Sequence, residues 1–172
     1  MIEVKAPNQL PFGTLPVVFL SGSIEMGVAE KWQDKIVSRL QNISQLQELN
    51  FLVLNPRRDD WDSTWTQNVD NPKFREQVEW ELSSMEVADI IPMYFDPATK
   101  SPITLLEFGL YARSGKLVVC CPEGFWKKGN VDVVCERYHV DTAENLTGLV
   151  AEVVGRLILK RVLARMGMKE GC

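Results

Sequence analysis

The side chains with the most chemical leverage in this sequence are carboxylates. Glu107 sits in Ser101-Pro-Ile-Thr-Leu-Leu-Glu-Phe-Gly-Leu, an otherwise apolar stretch, where a charge needs a partner or a task. On spacing alone two readings stay open. In the first, Thr104 and Glu107 form a capping box, with the glutamate satisfying the N-cap amide of a helix. In the second, Glu107 lies in the first turn of that helix, where the dipole lowers its pKa and keeps it ionised as a nucleophile. Glu81 belongs to Gln77-Val-Glu-Trp-Glu-Leu-Ser-Ser-Met-Glu-Val-Ala-Asp, in which Gln77, Trp80, Glu81 and Ser84 share one helix flank at spacings of three and four. A second carboxylate facing Glu107 could stay protonated in a partly apolar site and deliver that proton to a leaving base. Glu79 and Glu86 read as solvated charges.

Other candidates surround this pair. Ser21-Gly22-Ser23 follows an apolar run and is either a tight packing turn or a ligand cradle, with a glycine that permits close backbone approach. No P-loop lysine follows it, and one glycine is not a dinucleotide fingerprint, so the sequence points to no nucleotide cofactor. Trp61 and Trp65 stand in a long polar loop, where they either stack on a planar base or anchor the loop to the core. Arg57 and Arg58 read as salt-bridging loop residues. Asp89 opens a strand and reads as an acceptor for loop backbone donors. The single histidine, His139, reads as structural, which leaves a serine or cysteine mechanism without a base. No metal-ligating constellation is present, and none is expected to be needed.

The elements that must position these residues alternate. VVFL at 17–20, FLVL at 51–54, IIPMYF at 90–95 and LVVCC at 117–121 are continuous apolar runs, as expected of strands buried on both faces. Helical periodicity links them over about 28–43, 73–88 and 102–114, and a long helix covers about 143–165. Pro92 is awkward within its run, because it cannot donate a ladder hydrogen bond. The expected fold is an α/β flavodoxin-like or Rossmann-like sandwich, with a central parallel sheet of about five strands and helices on both faces. Ligands bind such sheets beyond the strands' carboxyl ends, where Ser21–Ser23, the 55–70 loop and the stretch from Asp96 to Glu107 should converge. The region 122–142 is less readable.

At 172 residues with 45% hydrophobic and 24% charged, one domain over 1–172 is expected, with an N-terminal arm to Pro16. Acidic residues outnumber basic ones by 23 to 19, so the net charge of -4 argues against a nucleic-acid polymer as partner. Cys120, Cys121, Cys135 and Cys172 lack zinc-like spacing and read as reduced structural thiols, the vicinal pair pointing opposite ways on a strand. No signal-peptide core and no apolar run near the roughly 20 residues of a membrane helix is present, so no membrane partner and a cytoplasmic location are expected. The sequon Asn145-Leu-Thr147 carries no weight in that setting.

Together VVFLSGSIE, WELSSMEVADIIPMYF and SPITLLEFGLYARSGKLVVCCPEGFWKKGNV resemble the nucleoside 2-deoxyribosyltransferase superfamily over roughly residues 17–140. The most specific part is the spacing from Ala88-Asp89 to the E-x-G of Glu107–Gly109. The resemblance implies exchange of purine and pyrimidine bases on nucleosides by double displacement, with Glu107 attacking C1' and no cofactor. It matches Glu81 to a position usually Asp, eight residues before the Ala-Asp aspartate. It matches Asn130 to an asparagine that completes a neighbouring subunit's site, implying a homo-oligomer with nucleosides and free nucleobases as its small-molecule partners.

Two departures stand out: Phe19 replaces a tyrosine whose hydroxyl orients the nucleophile, and Ser101 replaces a base-contacting aspartate. Related deoxynucleoside 5'-phosphate N-hydrolases carry a phosphate-binding serine at the latter position, but they also place an arginine where this chain has Glu25. The expected substrates are therefore unphosphorylated, with N-glycoside hydrolysis as the alternative reaction and a noncatalytic nucleotide-binding module as the alternative of another class.

Overall fold

The computed structural model describes residues 1–10, 13–25, 28–62 and 64–167. Cys172 lies outside the described residues. The strands are β1 (Ile2–Lys5), β2 (Val17–Phe19), β3 (Ser21–Gly22), β4 (Leu52–Asn55), β5 (Ile91–Tyr94), β6 (Leu117–Cys120) and β7 (Asp141–Ala143). The helices are α1 (Trp32–Gln47), α2 (Pro72–Val87), α3 (Pro102–Tyr111), α4 (Lys128–Tyr138) and α5 (Leu146–Arg165).

Every strand pairing is parallel, in the orders β1-β4-β2 and β3-β5-β6-β7. Only Leu20 separates β2 from β3, and a bridge between Val18 and Ile90 links the two sets, so they form two halves of one layer. The interruption has a cause in Pro92. It falls between the Val18–Ile90 bridge and the Ser21–Met93 pairing, where proline has no N–H to extend the ladder. From β4 through β2/β3 to β5, β6 and β7 the order is flavodoxin-like, with the winding direction reversing between β2/β3 and β5.

Alternation along the buried strands feeds two cores. On one face Trp32, Ile36 and Leu40 of α1 and Leu149 and Val153 of α5 pack with Val18, Leu20 and Val53. On the other, Trp80 and Met85 of α2, Phe108 of α3 and Val131 and Cys135 of α4 pack with Phe19, Met93 and Phe95. Each such fully buried side chain contributes about 1.5–3 kcal/mol. Cys120 and Cys121 fall into opposite cores, and with Cys135 they are free and buried, their thiols pushed up to about 11, 12 and 11 by desolvation.

Several element boundaries differ from the sequence expectation. The arm is partly structured, since Ile2–Lys5 pairs with β4 along the sheet edge. The segment 122–142 holds α4 and the start of β7. Helix α1 begins at Trp32 rather than near Val28, and the Glu30 N–H ahead of it donates to Asp96 Oδ2 at 2.9 Å. The sequon asparagine is the N-cap of α5, its side-chain oxygen accepting from the Thr147 and Gly148 amides. None of the described helices is long and apolar enough to cross a membrane.

Gly22 sets the geometry of the switch point. Its φ is +149°, and a Cβ there would meet Tyr94 O at 2.5 Å and the Trp32 ring and Tyr94 N at 2.8 Å. The replacement Gly22→Ala should destabilise the protein by about 3 kcal/mol, the sum of overpacking and backbone strain. Urea denaturation checks this; an unchanged midpoint would mean β3 can move away from β5 without loss.

Candidate active site

Alternation along 17–22 turns Phe19 and Ser21 toward the α2/α3 face, and Ser21 ends beside Glu107. Ser21 Oγ donates to Glu107 Oε2 at 2.6 Å, with Ser21 1% and Glu107 8% exposed. The capping box of the first reading and the lowered pKa of the second both need correction. Helix α3 starts at Pro102 with Ser101 as N-cap, so Thr104 is not a cap and no Thr104–Glu107 capping box forms. Glu107 is the sixth helical residue, beyond the first turn where the dipole acts. Burial pushes its pKa up to about 7, only partly offset by the Ser21 hydrogen bond.

Glu81 of α2 reaches the same place. Desolvation and, secondarily, the Glu107 charge push its carboxyl up to about 8, against the hydrogen bond from Gln77. Gln77 Nε2 donates to Glu81 Oε1 at 2.8 Å and to Pro56 O at 2.9 Å, tying the carboxyl and the loop after β4 to one helix turn. Gln77 thus contacts the acid in this structure. Two carboxyls displaced upward by burial and coupled to one another hold one proton between them over the interval separating their values.

Beside the pair lies a knot of buried hydroxyls. Ser23 Oγ is 2.5 Å from Ser101 Oγ, Thr99 Oγ1 is 2.7 Å from Ser101 Oγ and donates to Ser23 Oγ at 3.1 Å, and the Asp96 N–H donates to Ser23 Oγ at 2.8 Å. The knot joins the loop after β3 to the loop before α3. Thr99 was not among the sequence candidates; its spacing two residues before Ser101, on the same loop, is the only signal of it. Ser101 holds a left-handed φ of 47° at the N-cap and makes no cap bond of its own. The cap comes from Glu25, whose Oε1 accepts from the Lys100 N–H at 2.7 Å and from the Ser101 N–H. The two amides that lead into α3 are therefore already matched by a carboxylate.

The structure gathers Ser21, Gly22, Ser23, Gln77, Glu81, Ser101 and Glu107 around the switch point, but not every candidate. Trp61 and Trp65 lie against each other, ring centroids 5.1 Å apart, with Arg58 and Lys73 over the Trp65 ring at 5.1 and 5.3 Å. Asn130 is exposed on α4. Arg58 pairs with Asp60 and Glu76, whereas Arg57 hydrogen-bonds Gln33 and Glu30 O rather than forming a salt bridge. Asp89 accepts from the Val17 N–H at 2.8 Å and pairs with Lys160, as expected of a structural acceptor. His139 ends α4 in a left-handed conformation.

A family model described as nucleoside 2-deoxyribosyltransferase like matches residues 16–125, which span β2 through the loop after β6. The chain belongs to that family. No curated protein matches it. The matched region of this nucleoside 2-deoxyribosyltransferase-like chain carries Ser21, Glu81 and Glu107 and every member of the hydroxyl knot, while α4, with Asn130, and α5 lie beyond it.

Burial of the two carboxyls opposes folding of this deoxyribosyltransferase-like domain at high pH. A carboxyl whose folded pKa is raised binds its proton more tightly in the native state, so stability is greatest below its ordinary value near 4.5 and falls as pH rises toward about 7 for Glu107 and about 8 for Glu81. The isosteric Glu107→Gln should therefore melt above the wild type at pH 8.5, by up to about 3 kcal/mol of stability at 1.36 kcal/mol per pKa unit, with the gap closing toward pH 5. Thermal melts across that range measure it; a gap that stays constant with pH would contradict the desolvated carboxyl.

Proposed function

We propose that the protein transfers the 2-deoxyribosyl group of a nucleoside between purine and pyrimidine bases through a covalent glycosyl-Glu107 intermediate. The observation that carries this reading is a pair of carboxyls, buried Glu107 held by Ser21 and half-buried Glu81 held by Gln77, both pushed upward by desolvation at the switch point of a deoxyribosyltransferase-like fold. The pair shares one proton near neutrality, and this reading places it on Glu81 and leaves Glu107 ionised. Glu107 Oε1 forms a bond to C1' as the C1'–N bond breaks, the bonding pair moves to the base nitrogen, and Glu81 protonates the departing base. The nitrogen of an incoming base then attacks C1', the C1'–Oε1 pair returns to Glu107, and Glu81 takes the proton that this nitrogen gives up. Gln77 keeps Glu81 oriented and grips at Pro56 the loop that carries Trp61 and Trp65.

One observation favours a second reading, hydrolysis of nucleoside 5'-monophosphates: the hydroxyl knot of Ser23, Thr99 and Ser101 at the start of α3 could receive a phosphate. Glu25 opposes it, because its carboxylate already takes the Lys100 and Ser101 amides and would stand against a dianion. Incubating a deoxynucleoside with a different free base should yield a new nucleoside by chromatography, with a bell-shaped kcat/KM profile whose limbs lie near 7 and 8. Glu107→Ala should lower the rate at least 1000-fold, on the order of a lost nucleophile. Free deoxyribose as the sole sugar product, or turnover of the 5'-monophosphate as efficient as that of the nucleoside, would defeat the reading.

The same reading includes a homo-oligomer in which Asn130 completes the sugar site of a neighbour. It is supported by the exposure of Asn130 and by an uncharged apolar stripe of Ile103, Leu106 and Leu110 along α3, each about 60% exposed, on the helix that carries Glu107. Mixing inactive Glu107→Ala and Asn130→Ala subunits should restore part of the activity, since hybrids then contain one intact site. No recovery after mixing, with each variant alone inactive, would place Asn130 elsewhere.

A further inference from the structure

Phe19 leaves a question about Glu107: a buried carboxylate used as a nucleophile must be held, and the ring at position 19 has no polar atom to hold it. Phe19 is 1% exposed and packs tilted against Trp80 with centroids 6.3 Å apart. One pleat further along the same face stands Ser21, whose hydroxyl is the group that donates to Glu107 Oε2. Its backbone is fixed by the parallel register Ser21–Met93, and the next residue, Gly22, is pressed onto Tyr94 with no room for a side chain. The donor is thus mounted on a strand at the centre of the sheet rather than on a loop.

We infer that Ser21 is the positioning residue of Glu107, fixing Oε2 so that Oε1 is the oxygen presented to C1', and that it assists the second displacement more than the first. This rests on the reading that Glu107 is the nucleophile. Serine has one O–H to give, and it goes to Oε2. When Oε1 bonds to C1' and the C1'–N pair leaves with the base, Oε2 becomes an ester carbonyl oxygen and a weaker acceptor. When the lone pair of the incoming base nitrogen attacks C1', the Oε1–C1' pair returns to the carboxylate and negative charge reappears on Oε2, where the hydroxyl is already aimed. The hydrogen bond strengthens along that second step, so its loss should be felt there most.

Desolvation disfavours the charged form of Glu107 and the Ser21 hydroxyl from β3 favours it, while the Glu107 charge in turn acts on Glu81 of α2 and on Tyr111 one turn along α3. Removing the Ser21 donor takes away the one contact named here that favours the ionised form.

The test has a readout that needs no turnover. Infrared difference titration of the ligand-free protein, with Glu107→Gln to assign the band, should place the Glu107 midpoint about one pH unit higher in Ser21→Ala and return it toward the wild-type value in Ser21→Thr. Ser21→Cys, which keeps the volume and weakens the donor, should fall between, and it replaces the threonine arm if the added methyl is not accommodated. In the exchange assay Ser21→Ala should lower kcat about tenfold or more with little change in KM, and glycosyl-enzyme should accumulate in quenched mass spectra. An unmoved midpoint in Ser21→Ala, or a loss confined to KM, would overturn the assignment. If no variant and no wild type turns over a nucleoside, the proposed activity alone has failed, and the titration still decides what Ser21 does.

Discussion

Burying an ionisable carboxyl without a cation beside it is the constraint around which this molecule is arranged. Leaving Glu107 at 8% exposure penalises its charged form, and bringing Glu81 near enough to feel that charge penalises both ionised together. Among the described residues the surroundings offer hydroxyl and amide donors instead of counter-ions: Ser21 to one carboxyl and Gln77 to the other. Such donors soften the penalty without abolishing it. A nearby arginine would have pulled both groups far below neutrality and locked them ionised, whereas neutral donors leave them poised close to it.

The sheet supplies the stiffness that this arrangement needs. Ser21 sits on β3, Glu81 on α2 and Glu107 on α3, three elements that meet on one face of the layer where its winding reverses. The hydroxyl knot and the Glu25 contact lace together the loops that flank β3 and α3, so those loops are largely set before any ligand arrives. Pro92, by breaking the ladder between β2 and β5, divides the layer into two sets next to this same site.

Much of this could be read in the sequence, and what could not be read has physical reasons. The continuous apolar runs announced a parallel sheet, and the periodicity of 73–88 located α2 to within a residue. Glu107 stood out because a charge in an apolar helix is rare. Its ionisation is not legible in the sequence because spacing says nothing about burial, and because in a helix that starts at Pro102 the sixth residue lies past the reach of the dipole. The identity of the group holding Glu107 was hidden for a related reason: the pleat that puts Ser21 on the face of Phe19 is visible in sequence, but the 2.6 Å contact is made across 86 residues. The helix α4 is hard to read because it is short and rich in β-branched valines, which favour helices weakly, with Val133 falling off the buried face of Val131 and Cys135.

The Glu25 contact carries one more consequence. Because the carboxylate and the amides it occupies belong to one chain, their association is governed by an effective concentration of roughly millimolar or higher, set by tether length and loop stiffness. A free anion seeking the start of α3 competes against that internal rival at every moment, and diluting the protein does nothing to weaken it. The state of this helix end is therefore insulated from fluctuations in the surrounding pool of phosphate esters, in a way that a site left open to solvent would not be.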